Sequence, residues 1–333
     1  MNQPLLRYCA ALLLGLDLFS IGPAHASIIC TNISISNVVF GSVDPQSSQT
    51  DATATLTYTC TNLGVILPPT RSATLCLSIG EPGGGSMNPR QMHDTASNTL
   101  GFQLYQDPAR SIIWGSQFFG SATPLMTNIT LTGGLLLSGK STTYTNTIYG
   151  RVMPAQPTVV PGSYTENYTT ADTAITINQT IGHTAPGTCS GSPSESLDSF
   201  IVSANVLNKC TVTASPLNFG NSVGVLTSEV VATTTLGAQC SNTTLYNVGL
   251  DAGQNSGGDI NGRKMTLGAN SIGYQLYQDP AQTVVWGNTV GTNTVSGTGS
   301  GNTQNLTVYG KVPAQLTSPA GTYTDVIVVT VTY

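Results

Sequence analysis

Three sets of residues have types that could do chemistry. Asp107 and Asp279 recur in equivalent QDP segments, and a matched carboxylate pair is the pattern of general acid–base work. Aspartate before proline is equally the chemistry of a turn, where the carboxylate accepts from backbone N–H groups ahead of it. His93 beside Asp94 has the types of a base and its orienting group. The second half of the chain carries Thr266 and Leu267 at that place, and no nucleophile, base and orienter can be assembled around the histidine, which reads as a solvated loop residue. Arg151 and Lys311 share a place in YGRV and YGKV and read as strand-end cations near a carboxylate. The glycine-rich EPGGGS at 81–86 lacks the lysine-serine/threonine pair and the helix start of a phosphate loop. Neither an enzyme nor a cofactor is expected.

The residues around the two aspartates explain why they match. GFQLYQDPARSIIWGS at 101–116 returns as GYQLYQDPAQTVVWGN at 273–288. Other landmarks follow in the same order: Phe40-Gly41 as Phe219-Gly220, YGRV as YGKV, and Pro161-Gly162-Ser163-Tyr164 as Ala320-Gly321-Thr322-Tyr323. Two long copies mean domain duplication, since the units of a solenoid would be about 20–50 residues. The 333 residues agree with two domains.

The cysteines keep the same step, Cys30 to Cys60 as Cys210 to Cys240. Arg7, the apolar run 8–21 and Ala24-His25-Ala26 form the pattern of a signal peptide at 1–26, and export to an oxidising compartment lets thiols pair. The matched pairs are then disulfides, each contributing about 3–4 kcal/mol on the chain-entropy model. Cys76 and Cys189 remain and pair with each other. A metal site is disfavoured because no Cys-x-x-Cys occurs and the exported chain has only His93 and His183.

Charged residues make up 8% of the chain, hydrophobic residues 39%, and the formal net charge is -5. That balance excludes a disordered chain and carries no basic footprint for nucleic acid. After the leader, no run approaches the roughly 18 apolar residues of a membrane span. Short alternating runs rich in threonine, valine and tyrosine, such as 53–60, 142–149, 305–309 and 326–332, are strands bounded by Gly, Pro and Asn. The expected fold is all-β, two tandem immunoglobulin-like Greek-key sandwiches with Trp114 and Trp286 in their cores.

The expected divisions are a leader 1–26, an N-terminal domain 27–185, a linker and strand 186–209, and a C-terminal domain 210–333. The second copy ends at Tyr333 directly after its last alternating run, so it should lack its final strand. Before Cys210, Phe200, Val202, Ala204 and Val206 alternate with Ile201, Ser203, Asn205 and Leu207, a strand able to lay a small apolar row into a groove. The first domain could be closed by that strand or by its own residues 173–180. Only Ser27, Ile28 and Ile29 separate the leader from Cys30, about 10 Å of extended chain, too little to fill a groove.

The F-x-V-x-A-x-V-x-x-x-C-x-V run, LYQDP, WG, VYGKVPA and the final AGTYTDVIVVTVTY resemble the spore coat protein U family, which includes subunits of archaic chaperone-usher pili. The first copy departs from that pattern with Glu166, Asn167, Thr169 and Thr170 where the second is apolar, which shifts its last strand to 173–177. The resemblance implies incomplete sandwiches filled by a strand of the next subunit. For this chain it implies a tip subunit resembling the two-domain adhesins of those pili, exported through the periplasm to the pilus tip. Its partners would be a periplasmic chaperone, an outer-membrane usher, the next pilin, and an abiotic apolar surface or a host receptor. Alternatives are a secreted coat or minor shaft protein without receptor, and a carbohydrate-binding sandwich.

Three segments of the first copy gain apolar residues where the second is polar: Val65, Ile66 and Leu67; Phe118 and Phe119 with Leu125 and Met126; and Val159 and Val160. As exposed loop tips they would form an adhesive surface; folded inward they would pad a larger core.

Overall fold

The computed structural model describes residues 27–46, 49–64, 68–120, 123–133, 140–221, 226–316 and 319–333. The leader at 1–26 and the residues Val65, Ile66 and Leu67 lie outside them. Among the described residues, no helix is long and apolar enough to cross a membrane. The chain is all-β, and its buried apolar residues fall into two separate cores.

The first sandwich is built from β1 (Ser27–Ile35), β2 (Val38–Val43), β3 (Thr50–Leu63), β4 (Arg71–Ile79), β5 (Arg90–His93), β6 (Thr99–Tyr105), β7 (Leu125–Leu131), β8 (Ser141–Val152), β9 (Gly162–Tyr168), β10 (Thr173–Ile181) and β11 (Phe200–Val206). One sheet runs β1-β3-β8-β6-β5-β9-β11-β2 and the other β10-β4-β7. The second sandwich has β12 (Cys210–Ala214), β13 (Val230–Cys240), β14 (Leu245–Leu250), β15 (Lys264–Leu267), β16 (Asn270–Gly273), β17 (Gln275–Tyr277), β18 (Val295–Thr298), β19 (Thr303–Val312) and β20 (Val329–Thr332). Its order β12-β13-β19-β17 repeats β1-β3-β8-β6, and β18-β14-β20 repeats β7-β4-β10.

The repeated sentence is a packing module. Asp107 accepts from the Ser111 and Ile112 backbone N–H groups at 3.0 and 2.7 Å, and Asp279 accepts from Thr283 and Val284 at the same distances. The N–H of Ile112, and of Val284 in the second copy, does most to hold these carboxyls below the usual range. The indole N–H of Trp114 donates to Leu77 O at 2.8 Å and that of Trp286 to Val248 O at 2.9 Å, each ring fully buried between the two layers.

All three expected disulfides are present: Cys30–Cys60, Cys210–Cys240 and Cys76–Cys189. The first two join directly paired residues of neighbouring strands. The third fastens the chain after β10 to the face of β4 that points away from the core. From there the linker crosses the end of the sandwich: Ser194 N donates to Ile175 O at 2.8 Å, Leu197 is fully buried, and Asp198 N donates to Ile33 O at 3.1 Å.

Both candidates for closing the first domain are used, in different layers. Strand β10 pairs with β4 along its whole length, beginning after a turn at 170–172 in which Thr169 and Asp172 cap each other. Strand β11 lies between β9, to which it is antiparallel, and β2, to which it is parallel. Phe200, Val202, Ala204 and Val206 point inward with 2, 0, 7 and 2% of their surface exposed, and Phe200 stacks on Tyr168 at 4.7 Å. Truncating the stacked ring leaves a cavity in this core. Phe200→Ala is expected to cost the first domain about 3–5 kcal/mol. Limited proteolysis should then cut within residues 27–181 at lower denaturant concentration and leave fragments from 210 onward unchanged.

Candidate functional site: an unpaired groove in the second domain

The two domains differ most where β2, β9 and β11 stand in the first. The counterparts of β2 and β9 are 217–219 and 321–327, and neither is in a strand; among the described residues their one ladder contact is the bridge between Thr266 and Thr324. That bridge repeats the pairing of His93 with Thr165. Each side of the site is nevertheless held in place from beneath. Leu217 and Phe219 pack on the second core. A Cβ at Gly310 of β19 would fall 2.5 Å from Leu217 and 2.9 Å from Phe219, just as one at Gly150 would meet Val38 and Phe40. Phe219 meets Tyr274 edge-on at 6.0 Å, repeating Phe40 and Phe102 at 6.4 Å.

The other wall is pinned by polar contacts. The Tyr323 hydroxyl donates to Pro319 O at 2.8 Å, repeating Tyr164 and Val160 O at 2.7 Å. Asp325 accepts from the Tyr274 hydroxyl at 2.7 Å and the Asn255 amide at 2.8 Å, and burial together with that bond pushes the Tyr274 hydroxyl well up. Val38, Phe40, Tyr164 and Tyr168 are buried in the first domain, whereas Leu217, Phe219, Tyr323 and Ile327 are only half-buried. Both segments thus combine half-buried apolar side chains with backbone that is almost wholly outside any ladder, an arrangement chemically suited to one more strand. Among the described residues, no group of three or more His, Cys, Asp or Glu could hold a metal ion.

The sequence reading missed Arg90 and Arg263. Both guanidinium groups are buried: Arg90 donates to Gln103 Oε1, Gly80 O and Trp114 O, and Arg263 to Gln275 Oε1, Leu250 O, Asp251 O and Trp286 O. The available signal was Arg-x-Met, which stands ahead of the repeated sentence in both copies. His93 lies on strand β5, not on a loop, and its Nδ1 is 3.0 Å from Glu166. Arg151 forms a two-bond pair with Asp51 at 2.7 and 2.9 Å, and Lys311 pairs with Glu229 at 2.6 Å.

Among the described residues, the apolar segments of the first domain do not come together as one cluster. Phe119 packs on Gly80, just past the Ile79 end of β4. Phe118 and Met126 are 43 and 44% exposed. Leu125 and Val159 are core residues instead of surface ones: Leu125 points inward in the alternation of β7, and both pack in the first core. Val160 is half-buried, and its loop faces the second domain, where Asn242 Nδ2 donates to Thr158 O at 2.7 Å.

The Spore Coat Protein U domain family matches residues 17–171 and again 196–330. Protein U of Myxococcus xanthus is 29% identical over 145 residues, 39% of this chain and 80% of that one. Among solved structures, the CsuC-CsuE chaperone-tip adhesion subunit pre-assembly complex from the archaic chaperone-usher Csu pili of Acinetobacter baumannii superposes with a TM-score of 0.50 at 16% identity, over 92% of this chain and 100% of that one. The CupB6 tip adhesin from Pseudomonas aeruginosa gives 0.31 at 12% identity, over 91% and 94%.

Unpaired edges exchange their amide hydrogens faster than laddered ones. Hydrogen exchange at 217–219 and 321–327 is expected to be at least tenfold faster than at Val38–Val43 and Gly162–Tyr168 in the same molecule, as mass spectrometry of the intact protein would show. Equal protection would mean the groove is already closed.

Proposed function

The chain belongs to the spore coat protein U domain family, and from that premise we propose that it is the tip subunit of a chaperone-usher pilus. The observation that carries this reading is one sandwich present twice, complete in the first domain through β11 and unpaired at the same place in the second. The first domain faces outward as the adhesive unit. The second is joined to the fibre by a strand from the next pilin, which replaces a periplasmic chaperone at the outer-membrane usher. Shielding before assembly follows from the hazard of an open apolar edge. Residues 27–29 pair with 61–63 inside β1, so that segment is not a free strand for a neighbour, which fits a subunit that accepts a strand without giving one.

Attachment is hydrophobic. Exposed Phe118 and Met126 support this, together with Val65, Ile66 and Leu67. Burying one large apolar side chain contributes about 1.5–3 kcal/mol, and many tips acting together multiply the effect.

Two experiments test the two halves of the proposal. Co-expression with the cognate chaperone is expected to give a one-to-one complex that Phe219→Asp abolishes, read by size-exclusion chromatography; a second domain equally stable without any partner would contradict it. Replacing Val65, Ile66, Leu67, Phe118 and Met126 with serine is expected to reduce biofilm on polystyrene severalfold at unchanged pilus number, with no rescue or loss on raising salt. Unchanged attachment on normally piliated cells would leave a shaft or coat subunit as the better reading.

A further inference from the structure

We infer that the groove of the second domain selects its strand by size: the residue facing Tyr323 is alanine or smaller. This rests on the strand-acceptor reading above and specifies the partner. The first domain supplies the template, because it holds a strand in the same setting.

The register there places Ala204 opposite Tyr164 and Val206 opposite Gly162. Residues directly opposed in an antiparallel pair have Cβ atoms about 4.5–5.5 Å apart, so each side chain limits the size of its partner. Tyr164 is fully buried, and its hydroxyl is tied to Val160 O at 2.7 Å, so the ring cannot swing away from a bulkier neighbour. The second domain repeats the tyrosine, with Tyr323 tied to Pro319 O at 2.8 Å. The bridges of Thr165 to His93 and of Thr324 to Thr266 fix the two walls in the same register.

Toward the other end the grooves differ. Tyr168, on which Phe200 stacks, becomes Ile327, whereas Glu166 becomes Asp325, so at that place the second copy is acidic, where the sequence comparison predicts an apolar residue. The size rule therefore carries over at the tyrosine, while the aromatic position has no counterpart. A strand can then match the second groove without being a copy of β11.

The test extends the full chain past Tyr333 with a flexible linker as long as residues 182–199, followed by a second copy of residues 199–207. Hydrogen exchange at 217–219 and 321–327 is the readout, and exchange in β3 and β8 checks that the first domain is intact. The added copy is expected to slow exchange at both segments at least tenfold. Leucine at the added position copied from Ala204 should remove that protection, whereas leucine at the one copied from Ser203, which points outward, should keep it. Adding Tyr323→Ala to the leucine extension should restore protection by making room. Equal protection by the alanine and leucine extensions overturns the size rule and leaves the groove reading standing. No protection by any extension overturns both.

Discussion

A β-sandwich is stable only when each strand edge is paired or solvated and each apolar row is covered. One strand, β11, meets both demands for the first domain, satisfying two backbone ladders and inserting four buried side chains in a single element. Everything distinctive about the molecule depends on whether that position is filled from within the chain. The first core has Val38, Phe40, Tyr164 and Tyr168 buried because β11 lies across them; the second has their counterparts held in place and half-open. Similar local sequence therefore produces strands in one domain and unladdered chain in the other, which shows how far a strand is a property of its neighbours.

The duplication was legible because fold constraints repeat themselves in sequence. The QDP turn, the buried tryptophan and the glycine beneath the Phe40 or Phe219 ring each need a particular side chain or its absence, so they survive in step. The matched disulfides follow from the same step. The strand at 200–206 was legible from alternation alone, because a two-sided period leaves its mark on seven residues. Whether β10 or β11 closed the first domain was not, since periodicity says which face a strand buries and nothing about the layer it joins.

The apolar insertions show the opposite limit. Composition separates Phe118, Met126, Leu125 and Val159 from their polar counterparts, but a gain of apolar residues has two physical outcomes, exposure or padding. Both occur here: Leu125 and Val159 enlarge the first core, and Phe118 and Met126 remain in solvent. Arg90 and Arg263 escaped notice for a related reason. Arginine is rarely buried, and only the folded arrangement makes burial tolerable: carbonyl oxygens and a glutamine converge on each guanidinium, and the buried Glu81 carboxylate lies 3.2 Å from Arg90 Nε.

The path of the chain out of β11 has a mechanical consequence. Only residues 207–209 separate Val206 from Cys210, Lys209 is ion-paired with Asp44 just beyond the end of β2, and Ser241 N donates to Lys209 O at 2.8 Å. Tension applied through the second domain therefore pulls β11 along its own axis, parallel to β2 and antiparallel to β9. Both ladders and the inward side chains then bear the load together in shear, where a strand peeled from one end would lose its bonds in succession. Resistance to pulling is governed by the barrier to unfolding instead of by equilibrium stability, so the element that completes the first sandwich is also a tensile joint between the two domains.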